Sequence, residues 1–184
     1  MKKSLTQLPL VISLCFLLYF SISCQNQGAM AELEAMKAQA EIEEQNKEIV
    51  HRFFEEVWGL KKLDVIDEIF ATDYVGHMTG SPDILGSEGL KQYATMMCIS
   101  FPDLKLTIEA QVAEGDKVVA RWTTTGTHKG ELMNIPPTGI QATWTGNAFF
   151  RIAGGKIMET WKSMDTLGLM QQLGMELKPK EAEK

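Results

Sequence analysis

Two tight turns constrain the fold of this chain more than any other feature. Glu114-Gly115-Asp116 and Ala153-Gly154-Gly155 divide the stretch from Leu104 to Asp165 into segments that alternate apolar with polar residues. Such alternation is the signature of a half-buried strand, and a glycine-bearing turn between two such segments signals a hairpin. In the first segment Leu104, Leu106, Ile108, Ala110 and Val112 alternate with Lys105, Thr107, Glu109 and Gln111. The second runs from Lys117 to about His128, the third from about Ile140 to Ile152, and the fourth from Lys156 to Asp165. Four strands joined in this way form an antiparallel meander with one face to bury.

Helical patterns surround the meander. Ile49, Val50, Phe53, Phe54, Val57 and Trp58 form an apolar stripe at helical spacing that Gly59 ends. Lys62 to Phe70 reads as a second short helix, with Leu63, Ile66, Ile69 and Phe70 inward. Ser87 reads as the N-cap of a third, extending to about Ile99. Thr166 to Leu173 reads as a short closing helix that stops at Gly174. Helices followed by a meander make an α+β fold. A strongly curved sheet wrapped over the helices would bury both apolar faces and leave a hollow between them.

The ends carry different information. Lys2 and Lys3 precede the apolar run Leu8 to Phe20 and then Ser21-Ile22-Ser23-Cys24. A basic start, a short apolar core and small residues read as an export signal over 1–23. The small residues before Cys24 resemble the lipobox of bacterial lipoproteins, with Ser21 where Leu is usual, and imply that Cys24 is lipidated and tethers the protein to the cell envelope. Ordinary cleavage and an uncleaved anchor are the competing readings. Residues 24–46 read as a polar tether, partly helical, and 175–184 as a charged disordered tail. That leaves 47–174 as one folded domain. The net charge of −6 argues against nucleic acid or an anionic membrane face as partner. Cys98 is left alone once Cys15 falls in the signal and Cys24 is lipidated, so no internal disulfide is expected. The sequence shows no P-loop, dinucleotide fingerprint or metal-ligand spacing.

Four segments carry a resemblance to a known family: Phe101-Pro102-Asp103-Leu104, Glu114 to Trp122, Gly126-Thr127-His128-Lys129-Gly130 and Ile135-Pro136-Pro137-Thr138-Gly139. Arg151, Gly155-Lys156-Ile157, Trp161, Asp165 and Gln171-Gln172-Leu173-Gly174 complete it. Together they resemble the SnoaL-like polyketide cyclases, also called ester cyclases. The resemblance implies the nuclear transport factor 2-like fold, a cone-shaped α+β barrel of curved antiparallel sheet closed by N-terminal helices. It further implies a small apolar or polyketide-like ligand, ring closure without cofactor or metal, homodimers, and an Asp on the last strand as general acid/base, which maps onto Asp165.

The residues themselves lead to the same carboxylate. Strand alternation puts Ile157, Glu159, Trp161, Ser163 and Asp165 on one face. An apolar wall bearing a Trp and ending in an acid is where a carboxyl group loses water and becomes usable for proton transfer. The competing reading makes Asp165 the cap of the helix that follows. His77, in Asp73-Tyr74-Val75-Gly76-His77, is the second catalytic candidate, against an exposed loop histidine. Trp161, Trp58, Met97, Phe54 and Arg121 are the candidate substrate contacts. For Trp58, Met97 and Phe54 core packing is the alternative, and for Arg121 a polar outer sheet face. His128 is expected to anchor its loop. The functional expectation is cofactor-free cyclisation or isomerisation through Asp165. The alternative is a membrane-tethered, non-catalytic binder of an apolar small molecule.

Overall fold

The structure, a computed structural model, describes residues 8–176 and 178, with side chains from residue 28 onward. It divides into two compact units, residues 1–42 and 43–184. The boundary falls within α1 (Leu8–Arg52). In the first unit every described side chain, 28–42, is exposed.

The second unit holds the core. The helical stripe continues past α1 as a π-helical segment, Phe53–Gly59, which buries Phe53, Phe54, Val57 and Trp58. α2 is only Val65–Ile69. Phe70, expected inside that helix, instead opens strand β1 (Phe70–Met78). β2 (Ile84–Leu85), α3 (Gly86–Ser100), β3 (Lys105–Glu114), β4 (Lys117–Thr127), β5 (Gln141–Ala153), β6 (Lys156–Met164) and α4 (Thr166–Gln172) follow. Leu85, not Ser87, holds the N-cap position of α3.

The six strands form one open sheet in the order β2-β1-β6-β5-β4-β3. The expected meander is β3 to β6, antiparallel throughout. β1, which the alternation pattern does not mark as a strand, pairs with β6 in parallel. The sheet is therefore mixed and keeps two edges.

Each hairpin turn uses glycine in the left-handed region, with Gly115 at φ 59° and Gly154 and Gly155 at 57° and 74°. One irregularity decides which residues enter the interior. Arg151 pairs with Glu159, but the next residue, Ile152, pairs with Ile157. Met158 is thus an extra residue in β6, a bulge, and a bulge reverses the alternation beyond it. Ile157 is buried, and so is Thr160, while Trp161 is 42% exposed. The single face expected for Ile157, Glu159, Trp161 and Asp165 does not exist.

Candidate functional site

The concave face of the sheet and the helices over it enclose a small cavity of about 60 Å³ that opens to solvent. From the helical side come Phe53, Phe54 and Trp58, with Leu90, Tyr93 and Met97 of α3. Trp122 and Thr124 of β4 and Trp144, Ala148 and Phe150 of β5 line the sheet side. β6 adds Thr160, Lys162 and Met164, and β1 adds Tyr74, Gly76 and Met78. The bulge at Met158 is why β6 presents Lys162 rather than Trp161.

Two glycines make the room. Gly146 lies opposite Trp122, and a Cβ there would sit 2.6 Å from the indole ring. Gly76 pairs with Thr160, and a Cβ there would run into the Tyr74 hydroxyl.

Besides Thr124, the hydroxyl and ammonium groups of the lining form two pairs. The Tyr74 hydroxyl and Thr160 Oγ1 are 2.6 Å apart. Burial, partly offset by that hydrogen bond, pushes the Tyr74 phenol up to about 12, so it stays protonated at neutral pH. Lys162 Nζ donates to the Tyr93 hydroxyl at 3.0 Å and lies 4.2 Å from the centre of that ring. Lys162 is the only charged residue in the lining, and no carboxylate belongs to it among the described residues. No group of three or more His, Cys, Asp or Glu that could hold a metal ion occurs among the described residues either.

The expected site residues separate into two sets. Phe54, Trp58 and Met97 line the pocket. Asp165 does not. It is exposed and caps α4, its Oδ1 accepting the Gly168 N–H at 2.8 Å. His77, Trp161 and Arg121 lie on the opposite face of the sheet. There the His77 ring stacks on Trp161, with centroids 5.6 Å apart. Its Nε2 meets Glu159 at 3.0 Å and its Nδ1 meets Asp83 at 3.1 Å. Glu159 also accepts from Arg151 Nε at 3.1 Å. The hydrogen bond to Glu159, then that to Asp83, raises the His77 pKa above its ordinary value. Glu159 is lowered by His77 and then Arg151. Arg121 pairs with Glu109 at 3.0 Å, the polar outer-face alternative.

His128 is fully buried and holds its loop, with Nδ1 accepting the Thr138 N–H at 3.3 Å. Cys98 is a half-buried free thiol, and burial pushes its pKa up, the reverse of an activated nucleophile. Lys162, Tyr93, Tyr74 and Thr160 are the site residues that sequence reasoning missed. The signal for Lys162 and Thr160 was the opposite phase of β6, which only the bulge selects.

Helices closing the concave side of an open sheet over an aromatic pocket define the nuclear transport factor 2-like architecture. The chain belongs to the SnoaL-like polyketide cyclase family, whose model matches residues 48–173. It is 28% identical over 122 residues to the aklanonic acid methyl ester cyclase DnrD of Streptomyces peucetius, covering 65% of this chain and 84% of that one. A SnoaL-like protein from Jannaschia sp. CCS1 has a similar structure, with TM-score 0.69 and 28% identity over 74% of this chain and 96% of that one. A polyketide-cyclase-like protein from Acidithiobacillus ferrooxidans gives TM-score 0.63 and 32% identity, covering 70% and 94%.

Proposed function

We propose that the protein receives a small apolar, polyketide-like molecule in the concave-face pocket and converts it to an isomer by cofactor-free cyclisation or isomerisation. The observation that carries the reading is the aromatic pocket with its two hydroxyl-bearing polar pairs. The family, and the cyclase activity named for the Streptomyces peucetius relative, support the reaction class. Such a reaction needs a donor where negative charge develops on a carbonyl oxygen, and Lys162 with Tyr93 supplies one. A general acid/base role for Asp165 would require its carboxylate to leave the α4 cap and enter the pocket.

The second reading, a tethered binder without chemistry, draws on the lack of a lining carboxylate among the described residues. Export and lipidation at Cys24 belong to the same proposal and rest on the basic, apolar and small-residue order of 1–24. Among the described residues no helix is long and apolar enough to cross a membrane. Self-association rests on the exposed outer-face pair Phe149 and Trp161.

The test is incubation with aklanonic acid methyl ester, followed by chromatography and mass spectrometry. A new product of unchanged mass supports the enzyme. Calorimetric binding without product supports the binder. Neither binding nor product with this or other fused-ring polyketides would defeat both readings.

A further inference from the structure

We infer that the pocket selects a ligand carrying an anionic oxygen, a carboxylate or an enolate-type oxyanion, and seats that oxygen on Lys162 and Tyr93. This rests on the pocket reading above and narrows its substrate class.

The first ground is the charge inventory. Lys47, Arg52, Lys62, His77, Lys91, Lys117, Arg121 and Arg151 each face a carboxylate within 4.0 Å. Lys162 differs. Its recorded partners are the hydroxyl and ring of Tyr93. The carboxylate closest to it along β6, Glu159, lies on the other face, held by His77 and Arg151. The lining thus carries a cation and no protein anion among the described residues.

The second ground is donor geometry. An ammonium has three N–H donors and no acceptor, and one is spent on the Tyr93 oxygen. Because that oxygen accepts from Lys162, the Tyr93 hydrogen is left to donate elsewhere. Two kinds of donor therefore lie side by side among the apolar walls, with no carboxylate in the lining to take them among the described residues. In a cavity of low polarity, charge-assisted hydrogen bonds of this kind gain strength.

The third ground is the surrounding shape. Trp58, Trp122, Trp144 and Phe54 offer flat apolar surface to the body of the ligand. A planar apolar body with one anionic oxygen fits both parts.

The test uses 2-naphthoate and its neutral isostere 2-naphthamide, titrated calorimetrically into the full chain at pH 7. The carboxylate is expected to bind about tenfold tighter, the factor that one net charge-assisted hydrogen bond corresponds to. Lys162→Met should bring the two affinities together, and Lys162→Arg should keep the preference. Circular dichroism checks that both variants fold. Equal affinities in the unaltered protein, or a preference that survives Lys162→Met, would overturn the inference and leave the pocket reading standing. Binding of neither molecule would overturn both.

Discussion

The Asp165 carboxylate accepts the backbone N–H of Gly168 at 2.8 Å, and a Cβ on Gly168 would collide with that carboxylate. The two residues form one capping unit at the start of α4. Asp165→Ala should therefore cost about 1 kcal/mol in urea unfolding, the usual size of a lost N-cap. Gly168→Ala should also destabilise, although alanine is the better helix former. Affinity for 2-naphthoate should stay within about twofold in both variants, less than the tenfold that 1.4 kcal/mol represents. A folded Asp165→Ala protein that no longer binds would return Asp165 to the site.

Much of the architecture was legible because it is written in local periodicity. The turns at Gly115 and Gly154-Gly155 and the stripe from Val50 to Trp58 fixed the meander and the helix it packs on. What escaped depends on pairing. Phe70 to Met78 contains Asp73 and Gly76, residue types depleted in strands, and its strand pairing comes from β6 beside it in parallel and β2 on the other side. The bulge at Met158 leaves no mark in the residues around it. A strict period of two therefore assigned Trp161 and Asp165 to the interior and Lys162 to the exterior, the reverse of what the bulge produces. Trp58, Phe54 and Met97 line the pocket, and helical spacing, which needs no partner strand, is what makes their inward face legible.

Gly146 leaves space for the Trp122 ring of the pocket wall. Its missing side chain lets the Trp122 ring lie flat over β5, 5.2 Å from the Phe54 ring. Gly146→Ala should displace Trp122 and cost about 1–3 kcal/mol, as overpacking usually does. Near-UV circular dichroism should change and 2-naphthoate binding should weaken. Unchanged spectra and affinity would show that Trp122 does not set the wall.

The proposed export signal gives a prediction about location. Cys24→Ala, expressed in a bacterial host, should move the protein from the membrane fraction to the soluble fraction and abolish incorporation of labelled palmitate. If the unaltered chain takes up no label, the lipidation proposal fails whatever the fractionation shows.

Phe149 stands opposite Trp161 across β5 and β6, and these large side chains are 49% and 42% exposed. Paired exposed aromatics on a sheet face suit self-association. Sedimentation should show a dimer that Phe149→Lys dissociates, with its fold retained. A monomer at high concentration would count against self-association through this face.

His77 makes part of the stability of this face depend on pH, and the sign follows from its partners. Both ring nitrogens face carboxylates, an arrangement that only the doubly protonated imidazolium satisfies. Its folded pKa is raised above the ordinary 6.5. The stabilisation is therefore fully present below about 6.5 and is lost as pH rises through the higher folded value. Glu159 is lowered from 4.5, so its share is present above about 4.5 and is lost as pH falls through its folded value. The contribution of the cluster is thus largest between those two ordinary values. The stability difference between the unaltered protein and His77→Gln should be greatest near pH 5.5 and should shrink above neutrality. Proton NMR should give His77 a midpoint above 6.5, and Glu159→Gln should bring it down. A midpoint at or below 6.5 in the unaltered protein would mean that the two carboxylates do not hold the imidazolium in solution.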